Sequence, residues 1–365
     1  MRAIFYSPMA NQDAGAASGV QRMAALMQRA LTLAGVDALS LDLPRTYEGK
    51  GDASVQQRLR DESERVAGDL VARIQSGAVA RPDLWFSYHV YYKSPDWIGP
   101  SVCRALHIPC VIAEGSHAPK RAGGPWALGH EGATLALSAA DRLLAMTRFD
   151  RVCLDQLAPG RVRDLKPFID VSAFAQAAAH HTGPPHLLAV AMMRNERKRA
   201  SYELLAEALR ELSDMPLKLS IAGDGVFRHE VEAMFSSRAP VHDVEFLGAV
   251  EAERIPRLMA SADIFTWPGL GEAYGLVFLE AQAAGLPVVA CRDRGVPDAT
   301  ADGETTFLSA PGDVKGYAAN LRRLLTDAAL RRRLGENGRR FVRDERSVEA
   351  AAKTLRGVFA ELGLK

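Results

Sequence analysis

The sequence predicts an α/β protein of two domains with parallel sheets. Three observations carry that prediction. Short apolar runs of strand length alternate with longer helical stretches along the chain. The alternation pauses at Ala175–Pro185, AQAAAHHTGPP, which reads as an interdomain linker. And 365 residues exceed what one hydrophobic core usually organises.

Ala3–Tyr6 is the expected first strand, since Arg2–Tyr6 is too short for the apolar core of a signal peptide. A polar, Gly-bearing loop follows from Asn11 to Gly19. A helix then runs from about Val20 to Leu33, because Met23, Leu26, Met27, Ala30 and Leu31 recur at helical spacing, and Gly35 ends it. Ala38–Leu43 is a second strand and Ser54–Gln75 a charge-laced helix. Leu84–His89, Cys110–Ala113 and Leu143–Ala145 are further strands. A second series follows the linker, with strands at His186–Met192, Leu217–Ala222, Val244–Phe246, Ile264–Trp267 and Pro287–Cys291. The expected division is a first domain over 1–174, a linker over 175–185 and a second domain over 186–344. A final helix, about Val348–Leu362 within 345–365, has no strand after it.

Composition narrows the function classes. Hydrophobic residues at 48% and charged residues at 24% are ordinary for a globular protein. A net charge of +1 supplies no global field for nucleic acid. No apolar run approaches the roughly 18 residues of a membrane span, so a cytoplasmic location is expected, with peripheral contact at the inner membrane face left open. Cys103, Cys110, Cys153 and Cys291 form no C-x-x-C pair and no zinc-type spacing; they are expected as buried or free thiols.

The most informative stretch is Pro268–Ala290, PGLGEAYGLVFLEAQAAGLPVVA. It reads as a Gly-rich loop, a short helix and a buried strand. A helix start presents unpaired backbone N–H groups and partial positive charge, which suits a phosphate. Glu272 lies just before that start and Glu280 one turn or more inside it, so each is placed to grip hydroxyls of an attached sugar. Glu272, Ala273, Tyr274, Gly275, Leu276, Glu280, Ala281, Ala283, Gly285, Pro287, Val288, Val289 and Ala290 together resemble the E-x7-E signature of retaining glycosyltransferases of family 4, which have the GT-B fold.

The resemblance implies two Rossmann-like domains facing each other across a cleft, with the nucleotide-sugar in the second and the acceptor in the first. It also implies a final helix that returns to the first domain. Val190–Lys198 is similar to the family's G-R-L-x-x-x-K-G segment, whose Arg and Lys reach the donor diphosphate. Here Met193 replaces the Gly. Lys198 lies four residues after Arg194 and Arg199 five, so either can hold the second role, with Lys198 preferred because a flexible point charge suits a phosphate. By the same resemblance, Glu280 accepts from the ribose hydroxyls, Glu272 contacts the donor sugar in an orienting or electrostatic role, and the N–H groups of Tyr274, Gly275 and Leu276 meet the phosphate. Gly223-Asp224-Gly225 looks like the family's G-x-G-D-G-P turn. Leu247, Gly248 and Val250 lie in a segment like F-L-G-x-V, whose backbone reads the base. His117, after the Cys110–Ala113 strand, matches a His near the anomeric centre; His89 is a weaker candidate. Gly19, beside Ser18, stands in the family's Gly-rich first loop, and Lys120 and Arg121 are weighed as contacts for an anionic acceptor against a solvated loop.

The chain has no D-x-D triplet, so fixed positive groups are expected to take the place of a metal, with no cofactor. The expected function is metal-independent, retaining hexosyl transfer from a UDP- or GDP-sugar, the donor being substrate, to an open acceptor, anionic or lipid-linked ones included. Two rivals are kept: a sugar-nucleotide epimerase of the same fold, and a non-catalytic sugar-nucleotide-binding protein.

Overall fold

A computed structural model describes residues 1–9, 19–174, 183–194, 196–239 and 242–364. The chain forms two compact units, Met1–Lys166 with Val348–Lys365, and Pro167–Ser347. The expected first domain ran to 174. Pro167–Phe174 instead goes with the second unit, where Ile169 donates its backbone N–H to the carbonyl of Arg346 at 2.9 Å and Phe174 joins the core.

The first unit alternates β1 (Arg2–Tyr6), α1 (Gly19–Leu33), β2 (Asp37–Ser40), α2 (Ala53–Gln75), β3 (Leu84–Tyr88), α3 (Gly99–Leu106), β4 (Cys110–Ala113), α4 (Ala127–Ala139), β5 (Arg142–Ala145), α5 (Arg148–Leu157) and β6 (Val162–Asp164). Its sheet is parallel in the order β2-β1-β3-β4-β5-β6. The central strands β3 and β4 are buried along their whole length, as a parallel sheet covered on both faces requires.

The second unit contains β7 (His186–Val190), α6 (Glu196–Arg210), β8 (Lys218–Ala222), α7 (Arg228–Arg238), β9 (Asp243–Gly248), α8 (Ile255–Ala260), β10 (Ile264–Thr266), α9 (Leu276–Ala283), β11 (Val288–Cys291), α10 (Val296–Ala299), β12 (Thr306–Ser309), α11 (Val314–Thr326) and α12 (Ala328–Glu345). Its order, β12-β11-β10-β7-β8-β9, reverses direction between β7 and β10. That reversal is the topological switch point, where open α/β sheets leave a crevice at the carboxyl ends of the strands. The last helix, α13 (Val348–Glu361), packs on α1. Arg356 donates to the carbonyl of Leu33 at 2.9 Å, and Glu361 pairs with Arg142 and Arg163.

Several strands are shorter than expected: β2 stops at Ser40 rather than Leu43, and β7 at Val190 rather than Met192. Beyond Val190 the backbone turns to bond the loop after β8. The edge strand β6 carries too little apolar patterning to read as a strand, since Val162 is its sole buried residue, and β12 is only four residues long. No helix among the described residues is long and apolar enough to cross a membrane.

Candidate active site

The Gly-rich loop and α9 sit at the switch point of the second sheet. Strand β10 delivers Trp267 and then the loop Gly269–Gly275. Gly275 precedes α9 with φ of 58°, a left-handed conformation natural to glycine, and no side chain caps the helix start. The Phe278 N–H turns back to the Gly275 carbonyl at 3.0 Å, and the N–H groups before it precede any i−4 carbonyl of α9. Phe278 fills the space a side chain on Gly275 would need. Glu280, on the second turn, is buried. Tyr274 is buried and Ala273 exposed.

Helix α6 supplies the cation. Lys198, in its first turn, is ion-paired through Nζ with Glu272 Oε1, and both side chains are under one-fifth exposed. The indole N–H of Trp267 donates to the same oxygen at 3.2 Å, and the Lys198 ammonium lies 5.4 Å from the Trp267 ring centroid. Residues 74 apart in sequence are thereby joined at one point. Arg199, the rival to Lys198, pairs with Glu196 at 3.0 Å. Arg194 is exposed on the loop after β7.

Four supporting residues carried no motif. Ser201 accepts the backbone N–H of Leu270 at 3.0 Å, fastening α6 to the loop. Asp293, after β11, accepts from the N–H of Gly271 at 2.7 Å. Trp267 anchors Glu272. Gly295 lies so close to Ala273 that a Cβ there would overlap its carbonyl oxygen. Asp293 and Gly295 follow the carboxyl end of a strand beside the switch point, and that position was the one signal that marked them.

The 223–225 turn and the loop after β7 hold each other. Met193 donates to the Asp224 carbonyl at 2.9 Å, and Phe227 donates to the Met193 carbonyl at 3.0 Å. Gly223 has φ of 150°, and a side chain on it would strike the Ala191 carbonyl. Met193, standing where the family has Gly, is 1% exposed and belongs to the core. Gly223 donates to the Gly248 carbonyl at 2.7 Å, which links this turn to Leu247, Gly248 and Val250. Backbone hydrogen bonding at Gly225, then the Arg228 guanidinium, holds the Asp224 carboxyl below its usual range.

In the first unit, His117 is half-buried after β4 with its ring 5.4 Å from that of His130. Burial first, then His130, lowers the pKa of His117 and favours the neutral imidazole. His89 and Glu114, at the ends of β3 and β4, form an ion pair of 3.0 Å. Both adopt left-handed backbone, φ of 65° and 55°, which disfavours residues with a Cβ by roughly 1–2 kcal/mol each. Burial opposes the charged imidazole, but the nearby charge of Glu114, with that of Asp150, outweighs it and raises the pKa of His89. Gly19 begins α1 and is exposed; Ser18 lies outside the described residues. Lys120 is exposed, whereas Arg121 stacks on Tyr92 and Trp126.

Residues 175–341 match the family model described as glycosyl transferases group 1. Over 142 residues, 38% of this chain, the sequence is 36% identical to sulfoquinovosyl transferase SQD2 of Arabidopsis thaliana, covering 27% of that protein. Over 274 residues, 69% of this chain, it is 28% identical to the D-inositol 3-phosphate glycosyltransferase of Streptomyces avermitilis, covering 58% of that protein. The chain thus spans less than two thirds of the length of these curated relatives. The fold matches that of sucrose-phosphate synthase from Thermosynechococcus elongatus with a TM-score of 0.71, over 99% of this chain and 98% of that one, at 20% identity. The architecture is GT-B, with two Rossmann-like domains.

Proposed function

We propose that this protein is a retaining glycosyltransferase of family 4 that moves a hexosyl group from a UDP- or GDP-sugar to an acceptor without a metal. The observation that carries the reading is the meeting of Lys198 and Glu272 beside the uncapped start of α9. A cation, a row of backbone donors and two carboxylates, Glu272 and Glu280, then stand at one switch point. Such a set suits a sugar diphosphate, which brings anionic phosphate and hydroxyl donors together.

In this reading Arg194 and Lys198 hold the diphosphate and stabilise the charge that grows on it as the glycosidic bond breaks. The N–H groups of Tyr274, Gly275 and Leu276 add to that stabilisation. Glu280 accepts from the ribose, Glu272 orients the sugar, and the backbone at Leu247, Gly248 and Val250 reads the base. The anomeric carbon takes on oxocarbenium character, and the departing phosphate accepts the acceptor's proton on the same face. Neutral His117 would donate to the sugar.

A thermal-shift screen of UDP, GDP, ADP and their sugar conjugates tests the donor class. A ligand at 100 times its Kd stabilises by about 2.7 kcal/mol, so the matching base should stand out. Because fixed cations take the metal's place, the shift and the subsequent transfer should persist in EDTA. A strict need for added divalent metal would overturn the metal-independent part. Release of an epimerised donor in the absence of any acceptor would replace the reading with that of an epimerase.

A further inference from the structure

Two cations in the first unit share one pair of rings. Tyr92 and Trp126 meet edge to face with centroids 5.6 Å apart. The Lys93 ammonium lies 4.9 Å from the Trp126 centroid and 5.9 Å from that of Tyr92. The Arg121 guanidinium lies 5.1 Å and 5.2 Å from the same two centroids. Neither cation is within ion-pair distance of any Asp or Glu among the described residues. The carboxylate in the adjoining segment, Glu48, is turned away: it is buried, and its two oxygens accept the backbone N–H groups of Lys50 and Gly51 at 2.6 Å each. Lys93 reaches no more than the Gly49 carbonyl, at 3.3 Å.

Like charges gathered without a counter-charge repel one another, and ring faces offset that cost only in part. A second observation agrees with this one. Trp126 Nε1 and Arg121 Nε are shielded from solvent and donate to no atom among the described residues. Buried donors are normally satisfied, and apart from the Gly49 carbonyl the cluster holds donors and positive charge but no anionic acceptor among the described residues. An anion bearing several acceptor oxygens matches that deficit, and a phosphate monoester carries about two charges and three such oxygens. The aromatic walls suit a sugar or polyol ring beside the phosphate.

We infer that Lys93 and Arg121, set on the Tyr92–Trp126 pair, bind a phosphate monoester carried by a sugar or polyol. That this ligand is the acceptor rests on the proposed glycosyltransferase reading; the anion site itself does not. The monoester can come from a free metabolite or from a lipid headgroup.

Isothermal titration of the whole chain with glucose 6-phosphate and with glucose, at fixed ionic strength, tests the site. Glucose 6-phosphate is expected to bind about tenfold or more tightly than glucose, as charge-assisted contacts to phosphate allow. The Lys93→Gln/Arg121→Gln variant should lose that preference while keeping its melting temperature and its affinity for UDP. Equal binding of the two sugars, or an unchanged preference in the variant, overturns the inference. Where the double variant melts early, Lys93→Gln is titrated in its place; a partial loss of preference is expected, and no loss overturns the site. Sedimentation with phosphatidylcholine vesicles carrying phosphatidic acid, competed by glucose 6-phosphate, assigns the monoester to a lipid; titration without sedimentation assigns it to a free metabolite. Loss of nucleotide binding with the sugar-phosphate preference intact counts against the glycosyltransferase reading, and the reverse result counts against this site alone.

Discussion

Lys198 and Glu272 form an ion pair, and in the proposed reading the same ammonium meets the donor diphosphate. Lys198→Ala should weaken nucleoside diphosphate binding far more than nucleoside binding, because a charge-assisted contact to phosphate is lost. Equal losses in calorimetry would show that Lys198 does not touch the diphosphate. The two glutamates should separate kinetically. Glu280→Gln is expected mainly to weaken donor binding, since ribose contacts are the same in ground and transition states. Glu272→Gln is expected mainly to lower kcat. Near wild-type turnover of Glu272→Gln at saturating donor would remove its catalytic assignment, and a melt of each ligand-free variant controls for damage to the loop.

The His89–Glu114 pair makes a prediction about pH. The folded pKa of His89 lies above its ordinary 6.5, so the folded state holds the proton more tightly than the unfolded chain. Its stabilisation is full below pH 6.5 and is lost as pH rises through the folded value. Asp150, also raised by burial, adds a loss that begins at 3.8. The share of His89 is therefore the difference between wild type and His89→Gln across a urea series above pH 6.5. Parallel curves for the two proteins in that window would mean that the pair does not contribute.

At the scale of elements, the loop that presents Glu272 is held from outside itself by Ser201 of α6, Asp293 after β11 and Gly295. Gly295 has an ordinary φ of −86°, so its need for glycine is steric and not conformational. Gly295→Ala should push Ala273 outward and weaken nucleoside diphosphate binding about tenfold or more, since a misplaced loop forfeits its contacts. Its stability should fall by about 1–3 kcal/mol as overpacking does elsewhere. Unchanged calorimetric affinity would show that the loop tolerates the displacement. The motif was legible at this scale because a tight turn, a helix start and a buried strand each demand particular residue types in fixed order. Its props were not legible. A lone Ser on a helix and an Asp after a strand serve many structural ends, and their partners lie 69 and 22 residues away.

At the scale of the whole molecule, the last helix completes the first unit. Leu355 of α13 is fully buried, with Val358 and Phe359 on the same face, and the helix lies on α1. Leu355→Ala should cost about 2–5 kcal/mol, the range for truncating a buried leucine. A denaturant midpoint within error of wild type would contradict that packing.

The sequence by itself determined the α/β class, most of the strands and the E-x7-E loop, because periodicity, turn residues and a helix start are local properties of the chain. It also marked Lys198 and Arg199 as rivals and preferred Lys198 only on the general ground that a flexible point charge suits a phosphate. The tertiary structure turned Lys198 toward Glu272 and left Arg199 on Glu196, because the side chain's position in the first turn of α6 faces the loop after β10. It likewise assigned Pro167–Phe174 to the second unit and assembled Lys93, Tyr92, Arg121 and Trp126 into one cluster. Those outcomes depend on which strands lie side by side. Strand order is set by packing between distant segments, and no local pattern encodes it.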